Sequence, residues 1–374
     1  MTAIVSIQVP VPQAGPRGYP VRLGSGVVAE LPSHLRRAAP RARRVGILSD
    51  ETVFAHHGDA LLAIVRDAGL EPVVHVIPPG EASKTAAVLG GCLDAWVAGG
   101  LARSDAAVAF GGGVVGDLGG LAAHLYMRGI PIVQCPTSLL AQVDASTGGK
   151  VAIDHGAAKN LIGAFEFPAA VLVDPRWLAT LPAHELAGGA AEMVKHALLF
   201  SPEHLDALLR HAPLVADTEP EVLAGLVASS VALKAACVAA DPFERAPAGR
   251  VLLNLGHTVG HAIEAASDYA LGHGQAVALG LVAAARLSRA QGLAAPALIG
   301  RVTAVLTALG LPTDLEAWLV GPRLERVRAA LGHDKKRSGD ALTYIALRDV
   351  GAPQVLSLGV DAILTAIAAG DAGS

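Results

Sequence analysis

The sequence predicts an α/β protein in which a mostly parallel sheet is followed by a mainly α-helical half. Three observations predict it. Short β-rich runs alternate with longer amphipathic ones from about residue 20 to 175. From 183 to 331 the period is almost wholly helical, with breaks at Gly and Pro. The 374 residues, 52% of them hydrophobic and 17% charged, suit two ordinary domains better than one large one.

The elements justify themselves in order. "RVGILSD", "PVVHVIPP", "AAVAFGGG", "IPIVQCP" and "AAVLVDP" are short apolar runs bounded by turn residues, which predicts strands. Between them lie helical stretches such as "TAAVLGGCLDAWVAGG", closed by glycines. Buried strands alternating with helices imply a sheet covered on both faces. After "VLVDPRWLATLPAHE" the helices "VASSVALKAACVAA" and "GQAVALGLVAAARLSRAQG" are Ala-rich and apolar over a broad face. "LTYIALRDVGAPQVLSLG" predicts a small hairpin before a last helix. The expected domains are 1–178 and 179–374, and ligands favour the cleft between two such units.

Composition excludes several classes. A net charge of −4 argues against a general nucleic-acid binder, while allowing a local cluster of cations. Three scattered cysteines, Cys92, Cys135 and Cys237, give neither a disulfide framework nor a zinc knuckle. The longest apolar runs read as too short and too Ala-rich for a membrane span. No basic segment followed by an apolar core stands at Met1, so the expectation is a cytoplasmic protein with no membrane partner.

"AVAFGGGVVGD" places Gly111, Gly113 and Gly116 directly after a strand, in the spacing G-x-G-x-x-G. Such a turn can bring a pyrophosphate against a helix N-terminus, with Asp117 expected near the start of that helix. The acidic residue expected about 20 positions on is absent, so a tight structural turn is the competing account. "PPGEASKT" puts Glu81 and Lys84 in another turn, where Ser83 or Thr85 could simply cap a helix.

"LNLGHTVGHAIEA" puts His257 and His261 on one helical face, and "LGHGQ" adds His273. "GGAAEMVKHALL" places Glu192, Lys195 and His196 on a face of another helix. Histidines with one carboxylate suit a catalytic dication such as zinc. This is not H-E-x-x-H, because Thr258 stands where the Glu would be. Which histidines bind is left open by spacing alone.

The chain has only seven lysines, Lys84, Lys150, Lys159, Lys195, Lys234, Lys335 and Lys336, and two asparagines, Asn160 and Asn254. Lys195 and Lys234 fall inside apolar helices, where an ammonium costs several kcal/mol unless an anion compensates it. Cations converging with Arg128 and Arg250 would repel one another by roughly 4 kcal/mol per pair at 4 Å and an effective dielectric near 20. A small polyanionic substrate would relieve that repulsion.

"GGGVVGDLGG", "YMRGIPIVQCPTSLLAQVDASTGGK", "KNLIGAF", "LAGGAAEMVKHALL", "LNLGHTVGHAIEA", "GHGQAVALG" and "DKK" occur in the order of the 3-dehydroquinate synthase family, which the chain resembles from about residue 45 to 350. The resemblance implies an NAD- and metal-dependent (Zn or Co) lyase of the shikimate pathway, acting on a sugar phosphate as a homodimer, with an N-terminal nucleotide-binding domain and a C-terminal metal and substrate domain. It assigns the metal to Glu192, His257 and His273, and makes His261 a non-ligand that aids proton transfer. Asp144, Lys150, Asn160, Lys195, Lys234, Arg250 and Asn254 match substrate-site positions. Arg128 matches a phosphate-binding arginine supplied by the partner subunit, and Lys335 or Lys336 a further substrate contact. NAD is expected at Asp50, Glu81, Lys84, Gly113, Val114, Val115, Gly116, Asp117, Thr137, Ser138, Lys150, Lys159 and Thr180. The chain departs from the family pattern in "PTS" for "PTT", "GGKVAID" for "GGKTAVN", "FEFP" for "F.QP", His196 for an aromatic residue and a longer loop before Arg250. A related sugar-phosphate cyclase, a metal-dependent polyol dehydrogenase and a non-catalytic binding protein are the competing classes.

Overall fold

The structure is a computed structural model that describes residues 5–12, 16–156, 158–214, 218–268, 270–338 and 341–369. It divides into two compact units, residues 1–182 with 216–243, and 183–215 with 244–374.

The first unit is built on strands β1 (Val5–Pro12), β2 (Pro16–Leu23), β3 (Arg44–Asp50), β4 (Glu71–Ile77), β5 (Ala106–Gly111), β6 (Ile132–Pro136), the hairpin pair β7 (Lys150–His155) and β8 (Ala158–Phe165), and β9 (Ala170–Val173). Its early helices are α1 (Leu31–Ala38), α2 (Glu51–Asp67), α3 (Ala86–Ala98) and α4 (Gly113–Leu125). Seven strands form one sheet in the order β1-β2-β9-β6-β5-β3-β4, in which only the β1–β2 pair is antiparallel. Along β5 the side chains alternate by period two: Ala106, Val108 and Phe110 join Leu31, Leu35, Leu61 and Val65 on one face. Ala107 and Ala109 join Leu89, Trp96 and Leu118 on the other. The expected two-faced burial is what the sheet shows. Gly46 is needed there because a Cβ would lie 2.7 Å from Leu101 and 2.8 Å from the Trp96 ring.

Two features of this unit differ from the sequence reading. The β1–β2 pair and the β7–β8 hairpin were not expected. The strands of the first carry prolines that demote a strand, yet β1 is the sheet edge and β2 meets β9 only over Val21–Leu23, beyond Pro16 and Pro20.

The remaining helices are α5 (Ala183–Phe200), α6 (Pro202–Arg210), α7 (Pro220–Ala240), α8 (His257–Ala266), α9 (His273–Ala290), α10 (Ala297–Ala308), α11 (Gly321–Ser338) and α12 (Val360–Ala369), with the expected hairpin β10 (Leu342–Asp349) and β11 (Ala352–Leu358) before α12. The sequence placed α7 with the helical half. It belongs instead to the first unit, packing on the turns at Ala141–Ala145 and Pro175–Thr180. Among the described residues α7 is also the one helix long and apolar enough to cross a membrane, with half of that stretch buried, whereas the sequence reading took every apolar run as too short. All the other helices named in this paragraph, with β10 and β11, lie in the second unit.

In the second unit α9 is buried along nearly its whole length and packs against α5, α8, α10 and α12. Glycines set two of those approaches. A Cβ on Gly280 of α9 would collide with the carbonyl oxygen of Gly256, and one on Gly274 with that of Gly188 in α5.

Candidate functional site

In the first unit the sheet reverses its winding between β3 and β5, so their carboxyl ends form the crevice where an open α/β sheet receives ligands. Asp50 ends β3 and accepts from the Val53 N–H at 2.9 Å, capping α2. Gly111 ends β5, and α4 begins after Gly112, presenting its N-terminus at the same edge. The glycines divide in purpose. A Cβ on Gly111 would meet Val115 at 2.6 Å, and one on Gly116 would meet Gln134 Oε1 at 3.1 Å, so both serve packing. Gly112 and Gly113 have only ordinary neighbours, at 3.5 Å or more, leaving backbone open to a phosphate. Thr137 follows β6, its N–H bonded to the Gly111 carbonyl at 2.9 Å, and the Ser138 hydroxyl accepts from the Ala141 N–H at 3.3 Å. The Thr180 hydroxyl donates to the Trp177 carbonyl at 3.1 Å and lies 2.9 Å from His57 Nε2. This local backbone and its donors fit a dinucleotide.

Lys84 is not in solvent: it is 4% exposed, while Thr85 caps α3. Its Nζ lies 2.6 Å from Asp117, bonds the Asn160 Oδ1, and stands 3.9 Å from Glu81. Lys159 Nζ is 3.6 Å from the same Glu81. Asp117 lies in the second turn of α4 rather than at its start, and burial pushes its carboxyl up to about 6 although Lys84 pulls it down. The sequence split these residues between cofactor and substrate, but Lys84 and Asn160 touch. Asn160 sits at φ 53°, held by its N–H donating to Asp154 Oδ1 at 2.7 Å. Lys234, 5% exposed on α7, has its anion in Asp144, 2.8 Å away. Lys150 opens β7 on the surface, and Arg128 is exposed in a turn where Met127, Arg128 and Gly129 all have positive φ.

The second unit holds the residues expected to ligate a metal. Glu192 on α5 is fully buried. Its Oε1 lies 3.4 Å from His257 Nε2 and 3.6 Å from His273 Nε2, and its carboxylate pairs with Lys195 one turn on. His261 belongs to the same cluster, since one ring nitrogen from each of His257, His261 and His273 lies within 4.8 Å of the others. The outer nitrogens are occupied: His257 Nδ1–H donates to the Leu255 carbonyl at 3.1 Å, and His273 Nδ1–H to Glu264 at 3.3 Å. That holds both rings with Nε2 turned to Glu192, the orientation usual for metal-bound imidazoles. Burial, with Lys195 nearby, takes His257 down to about 3 and keeps it neutral. Burial lowers His273 too, but the carboxylates of Glu192 and Glu264 outweigh it and hold the imidazolium up to about 9. A dication would take the place of that proton. The donor set fits a zinc- or cobalt-like ion.

Arg250 is buried at 3%, and Asn254 ends the same short 3₁₀ turn on the surface. Lys335 and Lys336 fall in α11, but their side chains lie outside the described residues. Glu264 was missed in the sequence. Its signal was there, seven residues after His257 and three after His261, on their helical face.

The chain matches two family models, "3-dehydroquinate synthase N-terminal" over residues 74–188 and "3-dehydroquinate synthase C-terminal" over 189–337. It is 44% identical to the 3-dehydroquinate synthase of Caulobacter vibrioides over 340 residues, 90% of this chain and 91% of that one. Among solved structures it is similar to 2-deoxy-scyllo-inosose synthase complexed with carbaglucose-6-phosphate, NAD+ and Co2+, with a TM-score of 0.84, 25% identity and coverage of 97% and 99%. It is likewise similar to the 2-epi-5-epi-valiolone synthase ValA of Streptomyces hygroscopicus with NAD+ and Zn2+ bound, with a TM-score of 0.84, 27% identity and coverage of 96% and 98%.

Proposed function

The chain belongs to the 3-dehydroquinate synthase family, and from that premise we propose that it converts 3-deoxy-D-arabino-heptulosonate 7-phosphate to 3-dehydroquinate and phosphate. The observation that carries the reading is the convergence of Glu192, His257 and His273 with their outer nitrogens already held. When bound, NAD would supply a hydride acceptor and donor, and a zinc or cobalt ion would polarise the hydroxyl to be oxidised.

The chain's own residues orient the substrate and neutralise it. Glu192, His257 and His273 would hold the ion, and Glu264 would keep His273 turned toward it. Lys150, Lys195, Lys234, Arg250 and one of Lys335 and Lys336 would hold the substrate's phosphate and carboxylate, with Asn160 and Asn254 bonding its hydroxyls. Asp144 would steady Lys234, which it already contacts, and His261 would carry protons. Asp50, Glu81, Lys84, Gly113 to Asp117, Thr137, Ser138, Lys159 and Thr180 would serve NAD. Arg128, exposed on its left-handed turn, would complete the site of a second copy in a homodimer.

Apoprotein given NAD+ and Zn2+ or Co2+ should release phosphate from the heptulosonate phosphate with no net NADH. Absence of release with either ion rejects the activity, and steady NADH accumulation marks a dehydrogenase instead. Because the two solved structures named above are synthases of other names, a related cyclisation is the second reading, and the mass of the cyclised product separates the two.

A further inference from the structure

An open surface pocket of about 360 Å³ lies in the second unit at the far end of α8, with Arg323 and Arg326 exposed at its rim. Ala266, Ala270 and Leu271 give it an apolar floor, and Trp318, Arg323 and Arg326 form its wall. The Arg323 guanidinium stacks 4.8 Å from the Trp318 ring centroid and donates to the Ala317 carbonyl at 3.1 Å. Arg326 donates to the Ala266 carbonyl at 3.2 Å and to Asp268 at 2.9 Å. Asp268 is 84% exposed, so that ion pair is readily displaced by another anion. Two guanidinium forks beside an indole and small apolar side chains match a flat ring bearing one carboxylate. None of the residues assigned above to metal, substrate or cofactor lines this pocket.

We propose that this pocket is a regulatory site for a small aromatic carboxylate. Its regulatory half rests on the metal reading above. Ala266 lies nine residues from His257, about 14 Å along the helix, so the site is separate from the histidines yet joined to them. The Ser267 hydroxyl donates to the Glu264 carbonyl at 2.7 Å and accepts from the Leu271 N–H at 3.1 Å, tying two residues that line the pocket to Glu264. The Glu264 carboxylate holds His273, and Leu271 stands two residues before it. A ligand held against Leu271 therefore acts on the His273 imidazole through covalent chain and one hydrogen bond.

Calorimetric titration of the full chain with phenylacetate tests binding. We expect saturable heat, at least tenfold weaker binding in the Arg323→Gln/Arg326→Gln double variant, and tighter binding in Asp268→Asn, which removes the competing carboxylate. Trp318 fluorescence should report the same event, since Trp96 and Trp177 are 0% and 7% exposed and Trp318 is half-buried. No heat, an equal response to inorganic phosphate, or binding indifferent to the double variant overturns the site. Titrating Co2+ into apoprotein with saturating phenylacetate should then shift the midpoint at least fivefold. An unmoved midpoint overturns the regulatory role, and neither titration depends on turnover of the heptulosonate phosphate.

Discussion

Glu264 stands behind His273 without facing the proposed ion. Its carboxylate orients the His273 ring through Nδ1, and removing such a partner typically weakens metal binding 10- to 100-fold. Glu264→Gln should do so, measured by competition with a chelator, while circular dichroism stays native. His273 also predicts a proton count. Held up to about 9 by two carboxylates, it is charged at pH 7.5 without metal and must be neutral to bind one. Zinc binding at that pH should release about one proton, read from calorimetry in buffers of different ionisation enthalpy. Release near zero would contradict the ligand assignment.

A third titration concerns stability. His204 on α6 is 5% exposed, and burial, with His196 nearby, takes it down to about 4. Below about pH 6.5 the unfolded chain binds a proton there that the native chain refuses, so stability present above 6.5 is lost as pH falls toward 4. The loss attributable to this group is roughly 1.4 kcal/mol by pH 5.5. Urea midpoints at pH 7.5 and 5.5 should converge in His204→Phe relative to wild type; equal pH dependence in both would remove the explanation.

At the scale of elements, glycines decide how closely the helices that carry Glu192, His257 and His273 approach. Gly280 packs on the carbonyl of Gly256, immediately before α8 and its His257. A methyl there has backbone rather than a flexible side chain to displace. Gly280→Ala should therefore destabilise the protein by about 1–3 kcal/mol and weaken zinc binding together, whereas Gly300→Ala on α10, with open space around it, should do neither. Urea denaturation and chelator competition on both variants check this. Gly280 and Gly300 look alike in the sequence. The crowding at one is a property of helices brought together from distant positions, which spacing cannot convey.

For the whole molecule, a ligand that binds only the native state stabilises it by about 2.7 kcal/mol at a hundredfold excess over its dissociation constant. Zinc should therefore raise the melting temperature and a chelator lower it, and Glu192→Ala should abolish the difference. If that variant still responds to zinc, the ion is held elsewhere.

The sequence by itself determined the alternation of strand and helix, because burial on both faces of a parallel sheet forces apolar runs of fixed length. It also marked the histidine cluster and the scarce lysines, because a buried cation or imidazole among apolar residues stands out locally. Only the tertiary structure returned α7 to the first unit, paired Lys84 with Asn160 across 76 positions, and set Glu264 behind His273. Each of those depends on which distant surfaces meet. Periodicity fixes the face a helix will bury, but the neighbour that covers it is chosen by packing of the whole chain.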